Sequence, residues 1–320
     1  MSKYLVTGGA GFIGSHIVDA LISAGHSVRV LDDLSTGQRV NLAHHGDAVE
    51  LVVGDLRDME TVSRCFEGVR GVFHEAALPS VPRSVEDPLT CNAVNVDGSL
   101  NVFVAARDAG AKVVYAGSSS AYGDTEVLPK HEGMPVAPMS PYAAAKVATE
   151  QYLASFAKVY GMETVTLRYF NVFGPRQRND SPYSGVIAKF CRNALQGETC
   201  RIEGDGLQSR DFTYVHDVAR GNLLAMETAL PGGTTMNLAG GDRISLLDML
   251  DELEKLVGHK VERTHVDPRA GDVKHSQADA RRAKELLGFT CEHTFASGLR
   301  ETLDWYRESI GVTAVTPEKR

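Results

Sequence analysis

Thr7-Gly8-Gly9-Ala10-Gly11-Phe12-Ile13-Gly14 is the stretch on which the fold turns. It follows an apolar run, Tyr4 to Thr7, that reads as a strand, and it opens a segment, Phe12 to Ala24, with apolar residues at helical spacing. In the order strand, glycine turn, helix, the glycines Gly8, Gly11 and Gly14 let the backbone turn tightly, approach a pyrophosphate and pack the helix on the sheet. The helix N-terminus then faces the negative charge. The next strand, Ser27 to Leu31, ends in Asp32-Asp33, where an acid accepts from the adenine ribose 2'-hydroxyl. Asp32 would repel a 2'-phosphate and no arginine sits beside it, so NAD is expected rather than NADP. Gly54-Asp55-Leu56, after a third strand, has the acid-plus-apolar character of an adenine edge, and Asp55 also suits a helix cap.

Working outward, Val49 to Val53, Gly71 to His74, Lys112 to Ala116 and Thr164 to Tyr169 read as further strands, with a helix over Asn95 to Ala109. Such alternation predicts an α/β fold, a doubly wound parallel sheet covered on both faces. After Asn171 the rhythm changes: Gly, Pro and Arg cluster between Gly174 and Gly185, and helices are expected over Val186 to Leu195 and His216 to Ala229. The strand Thr234 to Leu238 is placed to rejoin the large sheet. The expected division is therefore discontinuous. Residues 1–170 with about 212–240 would bind the dinucleotide, and about 171–211 with 241–311 would form a smaller α/β substrate-binding unit. Residues 312–320 are expected to fray.

Composition narrows the function classes. The 320 residues are 43% hydrophobic and 23% charged, which excludes disordered and fibrous classes. A net charge of -8 argues against nucleic-acid or membrane-surface partners, so any bound phosphate must be met locally. No apolar run approaches the roughly 20 residues of a membrane span, and no signal-peptide core opens the chain, so a cytoplasmic location is expected. Five scattered cysteines without a CxxC pair read as buried small hydrophobes in a reducing compartment. His44-His45, His216 and His275 lack acidic or cysteine partners at ligand spacing, so no metal is expected.

Candidate chemistry lies between residues 117 and 146. In Ser140-Pro141-Tyr142-Ala143-Ala144-Ala145-Lys146, Ser140 is a plausible N-cap and Pro141 suits the first turn. Tyr142 and Lys146 are four apart, on one helix face, where an ammonium is expected to lower the tyrosine pKa and make it a usable base. Gly117-Ser118-Ser119-Ser120-Ala121-Tyr122-Gly123 follows the fifth strand, at the sheet end where open α/β folds bind ligands, and a serine there can relay a hydroxyl proton to Tyr142.

These stretches, with the HEAA run at His74 to Ala77, Asn95 in NVDG, and LRYFNVFG from Leu167 to Gly174, together resemble extended short-chain dehydrogenases/reductases over residues 3 to 308. Within them the chain most resembles bacterial UDP-sugar 4-epimerases, particularly the branch handling UDP-N-acetylglucosamine and UDP-N-acetylgalactosamine. Ser80-Val81-Pro82-Arg83-Ser84, Gly204-Asp205-Gly206 with Ser209-Arg210-Asp211-Phe212, and Gly271 to Ser276 carry that narrower match. The resemblance implies Ser118, Tyr142 and Lys146 as catalytic residues. It implies an NAD cradle that adds Phe12, Ile13, Ala76, Asn95 and Tyr169 to the glycine turn and Asp32. For the UDP-sugar it implies Ser80, Ser118, Ser119, Ser120, Asn171, Gly185, Val186, Arg210, Arg269 and Asp272. It places the small residue Ser276 where sugar-restricted relatives carry a bulky tyrosine beside C2, and it implies a homodimer. Phe190 and Arg201 stand where relatives often carry tryptophan and tyrosine.

Same-fold dehydratases and decarboxylases keep a carboxylate just after the catalytic Ser or Thr, and here those places are Ser119 and Ser120. The expected reaction is thus reversible inversion at C4, without net oxidation. The alternative is another nucleotide-sugar-modifying enzyme or a non-catalytic NAD-binding module, since fold alone does not fix function.

Overall fold

The computed structural model describes residues 1–179, 185–267 and 274–311. The strands β1 (Lys3–Thr7), β2 (Ser27–Asp32), β3 (Val49–Val53), β4 (Gly71–His74), β5 (Lys112–Ser118) and β6 (Thr164–Tyr169) join a seventh, Thr234–Leu238, in one parallel sheet. From one edge the order is Thr234–Leu238, β6, β5, β4, β1, β2, β3. The chain therefore winds outward from β1 in both directions, and the order reverses between β1 and β4. A crevice opens at the carboxyl ends of strands at such a point.

Both faces of the sheet are covered, so apolar side chains on both sides of its central strands are buried. Val6, Val30, Val114 and Leu167 face one core, shared with α1 (Phe12–Ser23) and the Val215–Glu227 helix. Leu5, Leu31, Val72 and Val113 face the other, under the Gly98–Ala109 and Pro141–Tyr160 helices. A third core, with Phe173, Phe190, Met249, Leu250 and Leu303, lies among the Val186–Gln196, Leu246–Val257 and Phe295–Ile310 helices. Three small two-stranded sheets accompany it.

Three features depart from the sequence reading. β5 runs on to Ser118, so the serine turn starts at the end of the strand itself. The segment Ala93–Asp97, ahead of the Gly98–Ala109 helix, is wound as a π-helix that includes Asn95. Cys291 is only half-buried, whereas the other four cysteines are buried, and all five are free. Among the described residues, no helix is long and apolar enough to cross a membrane. The expected frayed tail, 312–320, lies outside the described residues.

Candidate active site

The glycine turn is built on contacts that admit no side chain. A Cβ on Gly8, whose φ is +68°, would stand 2.8 Å from the Cα of Ala76, and one on Gly14 would meet the Gly8 carbonyl at 2.3 Å. The β1 turn thus lies directly against the end of β4. At the end of β2, the Asp32 carboxylate accepts from the backbone N–H groups of Ala10 (2.9 Å) and Leu34 (2.8 Å), which fixes it beside that turn. Burial nevertheless raises its pKa.

A pocket of about 200 Å³ there is lined by Gly8, Gly11, Gly14, Asp32, Asp55 and Leu56, with Ala76 across it. Asp55 is held by a two-point ion pair with Arg57 and keeps its pKa low. The pocket adjoins a larger cleft of about 940 Å³, and Gly11, Phe12 and Ile13 line both. These residues fit a dinucleotide: a side-chain-free turn at a helix N-terminus for the pyrophosphate, an oriented acid for the ribose, and an apolar edge for the base.

The large cleft is lined by the expected serines and by Tyr142. Ser140 caps the Pro141–Tyr160 helix, accepting from Ala143 N–H at 3.2 Å. Tyr142 N–H donates to Ser84 Oγ at 3.0 Å, tying the helix start to the loop that carries Ser80. Ser118 Oγ lies 2.8 Å from Ser120 Oγ and accepts from Ser120 N–H at 3.2 Å. Ser80, Ser118, Ser119, Ser120 and Tyr142 all line the cleft.

Lys146 does not act on Tyr142 as expected. It is buried, its ammonium donates to the Ala116 carbonyl at 2.8 Å, and it lies 4.9 Å over the Tyr115 ring. Burial brings Lys146 down to about 8, and Glu75 draws it up. The Tyr142 hydroxyl is pushed up to about 12 by desolvation, with a hydrogen bond to Ser118 pulling it down. The ammonium expected near the tyrosine is instead turned toward the sheet backbone.

The other expected residues divide. Tyr169, Asn171, Gly185, Arg210 and Ser276 line the large cleft. Asn171 holds a φ of +34°, uncommon for a side-chain-bearing residue, and donates from Nδ2 to the Asp211 carbonyl at 3.1 Å. Arg210 lies on a short strand, Ser209–Arg210, and donates to the Lys274 carbonyl at 3.2 Å. Ser276 is buried, its N–H bound to the Ser209 carbonyl at 3.0 Å. Val186 starts the helix after Gly185 without lining the cleft. Asn95 does not reach it either: its buried amide clamps the backbone of Leu78, with Oδ1 accepting at 2.7 Å and Nδ2 donating at 3.3 Å. Arg269 and Asp272 lie outside the described residues. Phe190 is buried in the third core and Arg201 is exposed, and neither lines the cleft.

Sequence reasoning gave no role to Glu75 or to several cations that line the cleft. Glu75, just past β4, accepts from Tyr169 Oη at 2.8 Å, and burial raises its pKa. Its place at the reversal of strand order was the available signal. Arg83, Lys130 and Arg176 also line the large cleft. Lys130 is buried and donates to the Gly123 carbonyl at 3.0 Å. Arg83 and Arg176 lie in stretches the sequence singles out, but only the fold brings them together with Lys130. Among the described residues lining the large cleft there is no aspartate or glutamate. In a chain of net charge -8, that is a local basic surface suited to an anionic ligand.

Comparison with known proteins agrees with this geometry. Residues 4–239 match the NAD dependent epimerase/dehydratase family. A UDP-glucose 4-epimerase of Mycolicibacterium smegmatis is 40% identical over 310 residues, covering 95% of this chain and 98% of that protein. A UDP-N-acetylglucosamine 4-epimerase from Methanobrevibacter ruminantium, solved in complex with UDP-N-acetylmuramic acid, superposes with a TM-score of 0.93 at 40% identity, covering 96% and 99% of the two chains. A UDP-glucuronic acid decarboxylase of Xenopus tropicalis is also similar, 32% identical over 96% of this chain and 73% of that protein. A glycine turn built for a dinucleotide, a Ser-Tyr-Lys set at the sheet's carboxyl end and a family match over most of its length together place this chain in the NAD-dependent epimerase/dehydratase family of extended short-chain dehydrogenases/reductases, with NAD as its cofactor.

Proposed function

We propose that this protein is an isomerase that inverts C4 of UDP-hexoses, acting on UDP-N-acetylglucosamine and UDP-N-acetylgalactosamine and to some degree on UDP-glucose and UDP-galactose. The observation that carries this reading is the composition of the cleft. Ser118, Ser119, Ser120 and Tyr142 line the cleft, and no carboxylate stands among its described lining residues. Elimination and decarboxylation in this fold draw on a carboxylate beside the serine, so the residues present favour proton movement at one hydroxyl and nothing more.

Residues 1–170 with about 212–240 would hold NAD through the glycine turn, Phe12, Ile13, Asp32 and Ala76, and 171–211 with 241–311 would hold the UDP-sugar. Bound NAD supplies a hydride acceptor and donor and, when oxidised, a positive ring charge that favours the Tyr142 phenolate. Tyr142 then takes the proton of the 4-hydroxyl, with Ser118 Oγ bridging the two oxygens. Lys146, anchored on Ala116, holds the helix turn that presents Tyr142. Arg210 would grip the diphosphate while the sugar turns its other face within a cleft of about 940 Å³. Ser276 leaves volume for an acetamido group at C2.

We also propose a homodimer formed through the Gly98–Ala109 and Pro141–Tyr160 helices. Tyr152, Val159 and Tyr160 of the second helix are exposed apolar residues.

The test is turnover by the purified chain given UDP-N-acetylglucosamine and no added cofactor. UDP-N-acetylgalactosamine should form, and NAD should be released on denaturation. A product lacking the C6 hydroxyl or carbon, or turnover supported only by NADP, would overturn the assignment.

A further inference from the structure

The histidines that show no ligand partners along the sequence find them in the fold. His216 stands at the start of the Val215–Glu227 helix, and His293 and Glu301 come from the segment that enters and forms the Phe295–Ile310 helix. One donor atom from each, a ring nitrogen of either histidine and a carboxylate oxygen of Glu301, lie within 4.8 Å of one another. Donors around a tetrahedral zinc are about 3.3 Å apart, given metal–ligand distances near 2.0 Å, and small rotations of these surface side chains cover the difference.

What lies behind the three residues favours a metal over a chance cluster. Asp217, 1% exposed, accepts from the backbone N–H groups of Glu292 (2.8 Å) and His293 (3.2 Å) and faces His293 Nδ1 at 3.1 Å. That bond fixes the imidazole and leaves Nε2 as its outward donor, the carboxylate–histidine arrangement found behind metal ligands. Glu301 is oriented in its turn by Tyr214, whose hydroxyl donates to Oε2 at 2.6 Å. The His216 ring is wedged between the rings of His16 (4.9 Å) and Tyr214 (5.0 Å).

A second cluster, Asp19 with His44 and His45, is less suited. There one carboxylate oxygen already receives both imidazole Nε2 atoms, at 3.0 and 2.7 Å, and the other pairs with Arg176 at 2.8 Å. A cation would have to displace that guanidinium.

We propose that His216, His293 and Glu301 form a binding site for one divalent transition-metal ion, with zinc the best fit, which pins the carboxyl-terminal helix to the helix on the large sheet. Two imidazoles and one carboxylate match zinc and leave a fourth position for water. None of the three residues lines the catalytic cleft, so the site's role is stabilisation rather than turnover.

The test uses the full chain with its affinity tag removed, stripped by chelator and titrated calorimetrically with zinc chloride. One equivalent should bind with micromolar or tighter affinity, and Tm should rise by about 2 °C or more at saturating zinc. His216→Ala and Glu301→Gln should each weaken that binding at least tenfold, and the visible bands of tetrahedral cobalt(II), used as a second probe, should be lost in both. His44→Ala/His45→Ala should change neither. The absence of saturable binding below about 100 μM, or undiminished affinity in either His216→Ala or Glu301→Gln, would overturn the proposal.

Discussion

Tyr142 carries its proton under opposing influences: burial drives its hydroxyl up to about 12, and Ser118 draws it down. Tyr142→Phe removes the oxygen that both act on and keeps the ring, so NAD content and folding should persist while kcat falls by roughly 100-fold or more. Near-normal kcat in that variant would exclude Tyr142 as the base. Ser276 offers a second test at a single position. A tyrosine there would fill the space beside C2, and overpacking a formed site costs on the order of 1–3 kcal/mol. Ser276→Tyr should therefore lower kcat/KM for the N-acetyl sugars by about tenfold to a hundredfold relative to the plain hexoses, measured by competition of the two substrate pairs. An unchanged ratio would remove Ser276 from the specificity argument. The residues proposed to react are legible because each sits at a fixed offset from a strand end or helix cap. Glu75, Lys130 and Arg83 are not, because their roles come from tertiary placement alone.

At the level of elements, the Pro141–Tyr160 helix is fastened to the sheet by a buried ion pair. Arg168 on β6 donates to Glu150 from Nε at 2.9 Å and Nη2 at 2.5 Å, both side chains about 95% buried (4% and 5% exposed), and its guanidinium lies 4.7 Å over the Tyr122 ring. Glu150→Ala leaves that guanidinium buried without its carboxylate, a loss of about 3–5 kcal/mol. Thermal melting should show it as a marked fall in Tm, and a drop of less than a degree would mean that the pair contributes little. The large sheet was readable from sequence because its strands are short runs rich in β-branched and other apolar residues, each set off by a nearby glycine or helix start. The three small sheets were not. Strands of two residues, such as Ser209–Arg210 with Ile244–Ser245, are defined by a distant partner rather than by any local pattern. The π-helical turn at Ala93–Asp97 left no signal either, since its sequence continues the apolar spacing of the helix it precedes.

For the whole molecule, sedimentation at working concentration should give a dimer, and a monomer would remove the proposed helix interface. Acid stability follows from four buried groups. His16 and His74 are both depressed to about 3 by burial, so they take up protons in the unfolded chain below its ordinary value of about 6.5, and acidification through that range destabilises. Glu75 and Asp211 are both raised to about 7 by burial, so they take up protons in the folded state first, and acidification from pH 7 toward about 4 stabilises. The two opposing pairs nearly cancel between roughly pH 4.5 and 6.5, and below that the histidines act together with carboxyls held low, such as Asp55. Urea midpoints should thus be nearly level across that interval and fall steeply under pH 4. A steady fall beginning at 6.5 would show that the two carboxyls are not held as acids. The seventh strand has a consequence for synthesis. β6 pairs with Thr234–Leu238, and the polypeptide between them builds much of the third core before the chain returns. While the ribosome makes that intervening stretch, the wholly buried β6 stands as an open sheet edge, able to pair with strands of other nascent chains. The open edge closes only when residue 238 emerges, so a chain truncated just short of that residue should aggregate more readily than one truncated just past it.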